Sequence, residues 1–358
     1  MRFIFAAFWY IFLWVTTTFA VPTSDQLLQH TLPIPPTDDP FYVPPTGLEN
    51  SQPGTILRSR SIDDLSIGGV MPFQVKAAYQ LLYRTTDSLR DASAAVTTII
   101  VPKTRTHRGW IVNLPDYEGL QSAFTSGIQA GQATLDSVRA ALSSGDLTSI
   151  SSQAENFNLP TQPELNFKGT ALGGLVPNIT SVMLSSNKGL FTGLIPAGVI
   201  GLTNGYPELK EYLLKNLVPS TASKFYKASL NDVLAITGQM GIYGTPKMPI
   251  FLYKAIGDEV SKVEDTDAVV SKLCSQGANI KYARDMFGGH ATEAITGAGD
   301  AFTFLIDRFN GVPIASGCTI NNVWTITFNP RAITALGPTI AAALLALLQV
   351  PVGPSDMF

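Results

Sequence analysis

Charged residues are scarce in this sequence. Asp, Glu, Lys and Arg make up 14% of the 358 residues, and the formal net charge is −3. Neither sign forms a dense run. A nucleic-acid-binding protein is expected to carry a basic stripe with interleaved aromatic residues. We therefore expect no nucleic-acid partner.

Cysteine and histidine are rare too. The two cysteines are Cys274 and Cys318, and the three histidines are His30, His107 and His290. An even cysteine count in an oxidising compartment favours one disulfide between the two. Two free buried thiols are the alternative. We expect no metal site and no cofactor.

The N-terminus predicts a secreted protein. Arg2, the apolar run Phe3–Val15 and the small-residue cleavage site at Ala20 are typical of a signal peptide over residues 1–20. A transmembrane anchor is the weaker alternative, because the apolar run is short. A Pro-rich arm over residues 21–70 follows, in which repeated prolines exclude a helix. The sequon at Asn178 is a candidate glycosylation site.

Beyond the arm, alternating strand and helix patterns predict a doubly wound α/β sheet. The predicted strands are 75–84 and 94–101 (an antiparallel pair), 110–114 (short and buried), 165–172, 247–256 and 280–287. The predicted helices are 122–142 (with Gly145 as its C-terminal cap), 266–276 and 292–310, with a helical region over 184–217. Residues 331–358 should form a terminal helix and tail. The apolar run 337–348 is too short to span a bilayer, so a packed helix is expected, with membrane contact as the alternative.

Two of these strands indicate the acid and base of a hydrolytic triad. Lys247–Ile256 ends in a Gly-Asp pair at Asp258, and Ile280–Phe287 runs into Gly-Gly-His at His290. An Asp just past one strand and a His just past the next, with a helix between, is how an α/β-hydrolase presents the last two members of Ser…Asp…His. We predict Asp258 as the acid and His290 as the general base.

Other residues of these types are weaker candidates. His30 lies in the Pro-rich arm and His107 in a basic loop. If the strand before Asp258 persists, Glu259 points to the face opposite Asp258, and Asp285 lies inside a predicted strand. Neither acid is therefore expected to serve the histidine.

The nucleophile is missing from its expected place. That triad order requires an earlier serine on a Gly-x-Ser-x-Gly turn, and the sequence contains no such motif. The interval 146–164 has no glycine and no Val/Ile run. Ser149, Ser151 and Ser152, which lie in it, are predicted to be loop serines.

Several blocks of the sequence resemble the fungal secretory lipases, a group of α/β-hydrolases. The blocks cover most of the chain after the arm, and the Asp-Glu-Val at Asp258 and the His-Ala-Thr-Glu at His290 are the most specific. The others are 109–119, 133–139, 171–174, 244–249 and the pair Cys274/Cys318. The resemblance implies an α/β-hydrolase domain over residues 71–330, with a helical lid or cap over about 175–243.

The same resemblance implies that segments are absent and the core incomplete. The family carries a strand, elbow and helix between Gly145 and Leu165, which need at least about 20–25 residues. It also carries a strand and an oxyanion loop between Val101 and Gly109, and a longer lid. This chain has only short connections at all three places, and it lacks both cysteines of a second family disulfide. Loss of whole blocks explains this pattern better than scattered substitutions.

Three functions are compatible with these residues. The resemblance implies a secreted triacylglycerol lipase that acts on ester substrates at an oil–water interface. The alternative is a catalytically dead hydrolase-like protein, from a truncated gene model or a decayed duplicate, that at most binds lipid. The third is that the 358-residue form is not a stable product, because removing a central strand exposes backbone and core surface.

Overall fold

The computed structural model describes residues 34–63, 66–67, 71–72, 75–103, 110–152, 165, 167–187, 189, 191–216, 240–242, 244–324 and 330–336. The predicted signal peptide, residues 21–33 of the arm, most of the interval 146–164, residues 217–239 of the lid and the tail 337–358 lie outside the described residues.

The first sheet is antiparallel, with strand order β1-β4-β5-β6. Its strands are β1 (Ile56–Ser61), β4 (Val75–Thr86), β5 (Ala92–Pro102) and β6 (Val112–Pro115). The pairing of β4 with β5 confirms the predicted antiparallel pair. Between β1 and β4, the two-residue strands β2 (Ser66–Ile67) and β3 (Met71–Pro72) pair only with each other.

Side-chain alternation explains why this sheet buries both faces. Leu81 and Tyr83 pack on one face with Ala133, while the intervening Leu82 packs on the other with Phe41. Successive side chains of a strand point to opposite faces, so a run of apolar residues covers both. Each such fully buried aliphatic side chain stabilises the fold by about 1.5–3 kcal/mol.

The second sheet is parallel, with order β10-β9-β8-β7. Its strands are β7 (Thr170–Gly173), β8 (Ile250–Ala255), β9 (Ile280–Asp285) and β10 (Thr319–Val323). Strands β8 and β9 are joined by a helix, as parallel neighbours require. The family-level prediction of an α/β fold with helices around a parallel sheet is therefore confirmed.

Besides two 3₁₀ turns in the predicted arm, Pro40–Tyr42 and Leu48–Asn50, where no helix was expected, the described residues form nine α-helices. They are α1 (Gly127–Ser143), α2 (Gly145–Thr148), α3 (Ile179–Ser186), α4 (Leu194–Gly205), α5 (Pro207–Asn216), α6 (Val263–Ser275), α7 (His290–Thr296), α8 (Ala298–Phe309) and α9 (Pro330–Leu336). Every described helix is too short or too polar to reach across a bilayer.

Helix α1 differs from its prediction at both ends. It begins at Gly127 rather than Ser122, because Ser122 and Thr125 have φ of +50° and +69°, which a right-handed helix excludes. Gly145 does not cap it. The chain continues helically into α2, and Ser149, at φ +61°, is the left-handed residue that ends the segment.

The described strands form two larger sheets instead of one doubly wound sheet, which agrees with the expected incomplete core. Within the described residues, β6 pairs only with β5 and β7 only with β8. Strand β6 was predicted to be buried, but Val112 is 43% and Leu114 52% exposed, because no strand of the described residues pairs with its outer side. Strand β7 is four residues rather than eight, because its pairing with β8 begins at Thr170.

Contacts outside the sheets hold the two halves together. Trp110, just before β6, stacks on Phe302 of α8 and contacts Phe309 of the same helix, with ring centroids 6.4 and 4.9 Å apart. Thr125 also donates a hydrogen bond to the Gly198 carbonyl of α4, at 3.1 Å. The halves are thus joined by helices and side chains where a continuous sheet would have joined them by backbone.

The predicted disulfide is present. Cys274, near the end of α6, is bonded to Cys318, just before β10, with Cα atoms 5.9 Å apart. The free-thiol alternative is therefore wrong. The bond joins the helix that follows the Asp258 strand to the last strand of the parallel sheet.

Candidate active site

The two loops that carry the predicted acid and base meet at one edge of the parallel sheet. Asp258 follows β8 and His290 follows β9, and the carboxyl ends of neighbouring parallel strands lie together. His290 Nδ1 is 3.0 Å from Oδ2 and 3.2 Å from Oδ1 of Asp258. The expected proximity is thus present, while the catalytic roles of both residues stay predictions.

Glycines allow these loops to approach so closely. A Cβ on Gly257 would lie 2.8 Å from the Gly288 carbonyl oxygen, so a side chain there would push the loops apart. Gly288 itself has φ of +112°, a conformation that residues with a Cβ rarely adopt. The Gly-Asp and Gly-Gly-His spacings in the sequence therefore have a steric cause.

The Asp258 side chain is held on all sides. Its Oδ1 accepts from the backbone N–H of Val260 and Ser261 at 2.9 and 2.8 Å, and its Oδ2 accepts from Lys254 Nζ. Burial by itself raises the pKa of this carboxyl, but the bonds from Lys254, His290 and Ser261 outweigh burial and hold the pKa below its usual 3.8. Asp258 is therefore ionised when it faces the imidazole.

His290 is the first residue of α7 and not a loop residue before a helix that starts at Thr292. Its backbone N–H donates to Oε2 of Glu259 at 3.1 Å. The condition for Glu259 to point to the opposite face is not met, because β8 ends at Ala255 and its alternation does not extend to residue 259. Glu259 anchors the backbone of His290 and leaves the imidazole to Asp258.

The sequence interpretation missed two buried charged residues beneath this pair. Lys254 is fully buried in β8, and Glu293, on α7, is 1% exposed. Glu293 Oε1 accepts from the Gly174 N–H at 3.0 Å, and burial raises its pKa despite the nearby Lys254. The sequence does indicate Lys254, because it is the one charged residue of the otherwise apolar β8 and lies four residues before Asp258.

Asp285 has no contact with the histidine in the described structure. It ends β9, is buried, and accepts from the Phe287 N–H at 2.9 Å. Burial raises the pKa of its carboxyl. Its lower rank as triad acid agrees with this placement.

A large, mostly apolar cavity opens at His290. Its volume is about 790 Å³, within the range of roughly 300–1,000 Å³ typical of ligand sites. Its wall is formed by α1 and the loop before it, by β7 to β9, by α6, and by α3 and α4 of the predicted lid. His290 is the one histidine, and Glu118 the one carboxylate, among the described lining residues.

None of the three loop serines reaches this site. Ser149, Ser151 and Ser152 are exposed and absent from the cavity wall. The wall does contain Ser126 and Ser186. Ser126 is hydrogen-bonded to Ser88, whereas the buried Ser186 hydroxyl makes no hydrogen bond to any described residue.

The arrangement supplies a general base and its orienting acid. Asp258 accepts the Nδ1 proton of neutral His290, which leaves the Nε2 lone pair to take a proton from a donor in front of it. The His290 side chain is 32% exposed, so that atom has access from the cavity. Within the described residues, Nε2 has no hydrogen-bond partner.

Comparison with known families gives a match over most of the chain. A family model described as secretory lipase matches residues 89–157, 160–244 and 225–317. The break between the first two blocks lies inside the interval 146–164. The remaining break, with its overlap over 225–244, lies at the end of the predicted lid.

Curated relatives and a solved structure agree with this match. The chain is 32% identical to Lipase A of Arthroderma benhamiae, covering 94% of this chain and 92% of that protein. It is 30% identical to Secreted triacylglycerol lipase LIP1 of Malassezia furfur, covering 88% and 85%. Candida antarctica lipase A in its closed state has a TM-score of 0.76 at 21% identity, covering 88% and 96%, and so a similar fold.

The alignment with the Arthroderma protein also measures what this chain lacks. It spans 436 positions, and 94% of 358 residues fill about 337 of them, so about 100 positions face gaps in this chain.

Proposed function

Because the chain belongs to the secretory lipase family, we propose that it derives from extracellular lipases that hydrolyse the carboxylic esters of triacylglycerols, with Asp258 and His290 as acid and base. The observation that carries this proposal is the Asp258–His290 pair, 3.0 Å apart at the mouth of an apolar cavity. Residues 1–20 as signal peptide and Asn178 as glycosylation site belong to the same proposal.

The family reaction assigns each atom of the pair a task. A serine hydroxyl attacks the ester carbonyl carbon while His290 Nε2 takes its proton, and the imidazolium then gives that proton to the departing alcohol. Water, activated by the same nitrogen, releases the fatty acid from the serine. Asp258 stays ionised and stabilises the imidazolium in both the acylation and the deacylation step.

The 358-residue chain has no serine on a Gly-x-Ser-x-Gly turn, and we propose that this form does not hydrolyse esters. The absence of Gly-x-Ser-x-Gly and the division of the sheet between β6 and β7 favour a catalytically inactive relative. Removing a triad serine lowers kcat by about 10⁶. A base alone contributes about 10²–10⁴ when a substrate is well placed.

A comparison of the 358-residue chain with a longer chain that carries the elbow tests the inactivity of the first and the role of His290 in the second. The purified 358-residue chain should hydrolyse a short-chain p-nitrophenyl ester no faster than its His290→Ala variant, and a fluorophosphonate probe should not label it. A longer form with a strand, a Gly-x-Ser-x-Gly elbow and a helix inserted within 146–164 should be labelled once, on the elbow serine.

Two results would contradict these expectations. Stoichiometric labelling of any serine in the 358-residue chain would show that it holds an activated nucleophile. Equal turnover of the longer form and its own His290→Ala variant would remove His290 from the role of base.

A further inference from the structure

A second cavity of the described structure lies at the other end of the parallel strands from Asp258 and His290. Its volume is about 340 Å³. Lys281 and Thr319 of its wall stand at the starts of β9 and β10, whereas the acid and the base follow the ends of β8 and β9. A strand of six residues is roughly 17–20 Å long. The cavity is therefore well removed from His290, and the proposed ester hydrolysis does not use it.

The body of this cavity is apolar. Phe251 of β8 and Phe304 of α8 stack there, with ring centroids 5.7 Å apart and planes inclined by 27°. The loop that follows α8 adds Val312 and Ile314. A closed apolar space of about 150 Å³ is already enough to hold benzene. The larger volume here accommodates a phenyl ring together with one small polar group.

Two cations of the wall have no acidic partner. Lys281 Nζ lies 5.8 Å from the centre of the Phe251 ring. The guanidinium carbon of Arg308 lies 5.3 Å from the centre of the Phe304 ring. Within the described residues, neither of the two side chains makes a hydrogen bond or an ion pair.

The free donors of Arg308 can be identified from its surroundings. A ring contact uses the face of a guanidinium, and it leaves the N–H groups in the guanidinium plane for an acceptor. Arg308 Nε is buried without a partner. The two Nη groups are therefore the donors that a ligand in the cavity can reach.

The other charges of the wall leave a surplus of one positive charge. Arg331 donates two hydrogen bonds to the Asp307 carboxylate, at 2.9 and 3.2 Å, so this pair is neutral as a unit. Asp300 is the remaining acid among the described wall residues. Lys281 and Arg308 thus outnumber it by two charges to one. A ligand with a single negative charge neutralises the surplus.

We propose that this cavity binds a small aromatic carboxylate, with its ring against Val312 and Ile314 and its carboxylate oxygens on the Arg308 Nη groups. Arg308 suits this task because a planar guanidinium presents paired donors that match the two oxygens of a carboxylate. Lys281 supplies the second positive charge of the site. The anion is held by charge and the ring by apolar contact, so a ligand that lacks either part binds more weakly.

Calorimetric titration of the purified 358-residue chain with benzoate tests this inference without any ester hydrolysis. We expect saturable binding of one benzoate per chain. Benzamide has the same ring without the charge, and acetate has the same charge without the ring. Each should bind at least about tenfold more weakly than benzoate, because a charged hydrogen bond is lost in the first and the burial of a ring in the second.

Two substitutions by methionine and one matched control locate the site. Arg308→Met and Lys281→Met keep an apolar stem and remove the charge. Arg308→Met should weaken benzoate binding at least about tenfold, and Lys281→Met, at an exposed position, about twofold to fivefold. Lys247 is an exposed lysine just before β8, at the same end of the sheet but outside the cavity wall. Lys247→Met should bind benzoate as the unaltered chain does.

Three results would overturn the proposal. The first is the absence of saturable benzoate binding by an unaltered chain that melts cooperatively in circular dichroism. The second is equal affinity for benzoate and benzamide. The third is benzoate binding by Arg308→Met that is as tight as that by Lys247→Met, because benzoate would then lie elsewhere. If Arg308→Met does not fold, the comparison of Lys281→Met with Lys247→Met decides, since both change an exposed side chain.

Discussion

Replacing Lys254 with methionine tests how the buried pair beneath the site holds the acid in place. Lys254 and Asp258 are four residues apart, and both side chains are fully buried. Breaking a buried ion pair by removing one partner typically costs about 3–5 kcal/mol, because the other charge is left buried and unpaired. Asp258 keeps two backbone donors and His290, so we expect a loss near the lower figure, about 3 kcal/mol.

The chain contains a matched control for this substitution. Lys215 and Glu211 on α5 are also four residues apart, at 4.0 Å, but their side chains are 76% and 75% exposed. Exposed pairs of this spacing contribute roughly 0.3–0.5 kcal/mol. Lys215→Met should therefore be nearly neutral, although it removes the same kind of side chain.

A double variant separates the lost charge from the lost packing. Lys254→Met combined with Asp258→Asn removes the unpaired charge, while the amide oxygen still accepts from the Val260 and Ser261 N–H groups. It should recover most of the stability lost in Lys254→Met. Urea unfolding followed by circular dichroism measures all four proteins. A free energy of unfolding for Lys254→Met within about 1 kcal/mol of the unaltered chain would refute the reasoning.

Two further outcomes follow from the same structure. The pKa of Asp258 is lowered in the folded state, so its contribution to the free energy of unfolding is present above its unfolded value of 3.8 and is lost as the pH falls through its lower folded value. The stability difference between the unaltered chain and Asp258→Asn should therefore shrink at acid pH, and a constant difference from pH 6 to pH 2 would contradict this. The bond between Cys274 and Cys318 closes a loop with a sequence separation of 44, so Cys274→Ala/Cys318→Ala should lower the free energy of unfolding by up to about 4 kcal/mol. Equal urea midpoints for the double variant and the parent would show that the bond does not stabilise the chain.

Local patterns in the sequence were sufficient to place the acid and the base. The strand before Asp258, the strand before His290 and the glycines between them are short-range features, and the parallel order of β8 and β9 brings their ends together. The antiparallel pair β4–β5 could be predicted equally well, because alternating apolar and polar residues and a short polar connection define it. The disulfide depended only on cysteine count and compartment.

Other features depend on which distant segment lies beside which. The sequence predicts that Lys254 lies in a strand. It does not predict that the turn after β8 brings Asp258 back against the buried Lys254 side chain. The direction of Glu259 could not be predicted from alternation, because strand alternation stops where the turn begins. The exposure of β6 could not be read from its apolar residues, since burial requires a neighbour.

What the sequence determined by itself is the set of local elements and the chemistry at their ends: an oriented acid and base without an elbow serine. Only the tertiary structure decided that β6 and β7 are separate edges among the described strands, and that a cavity of about 790 Å³ lies between the halves. The physical reason is that hydrogen-bond pairing of strands and the filling of a core are long-range properties.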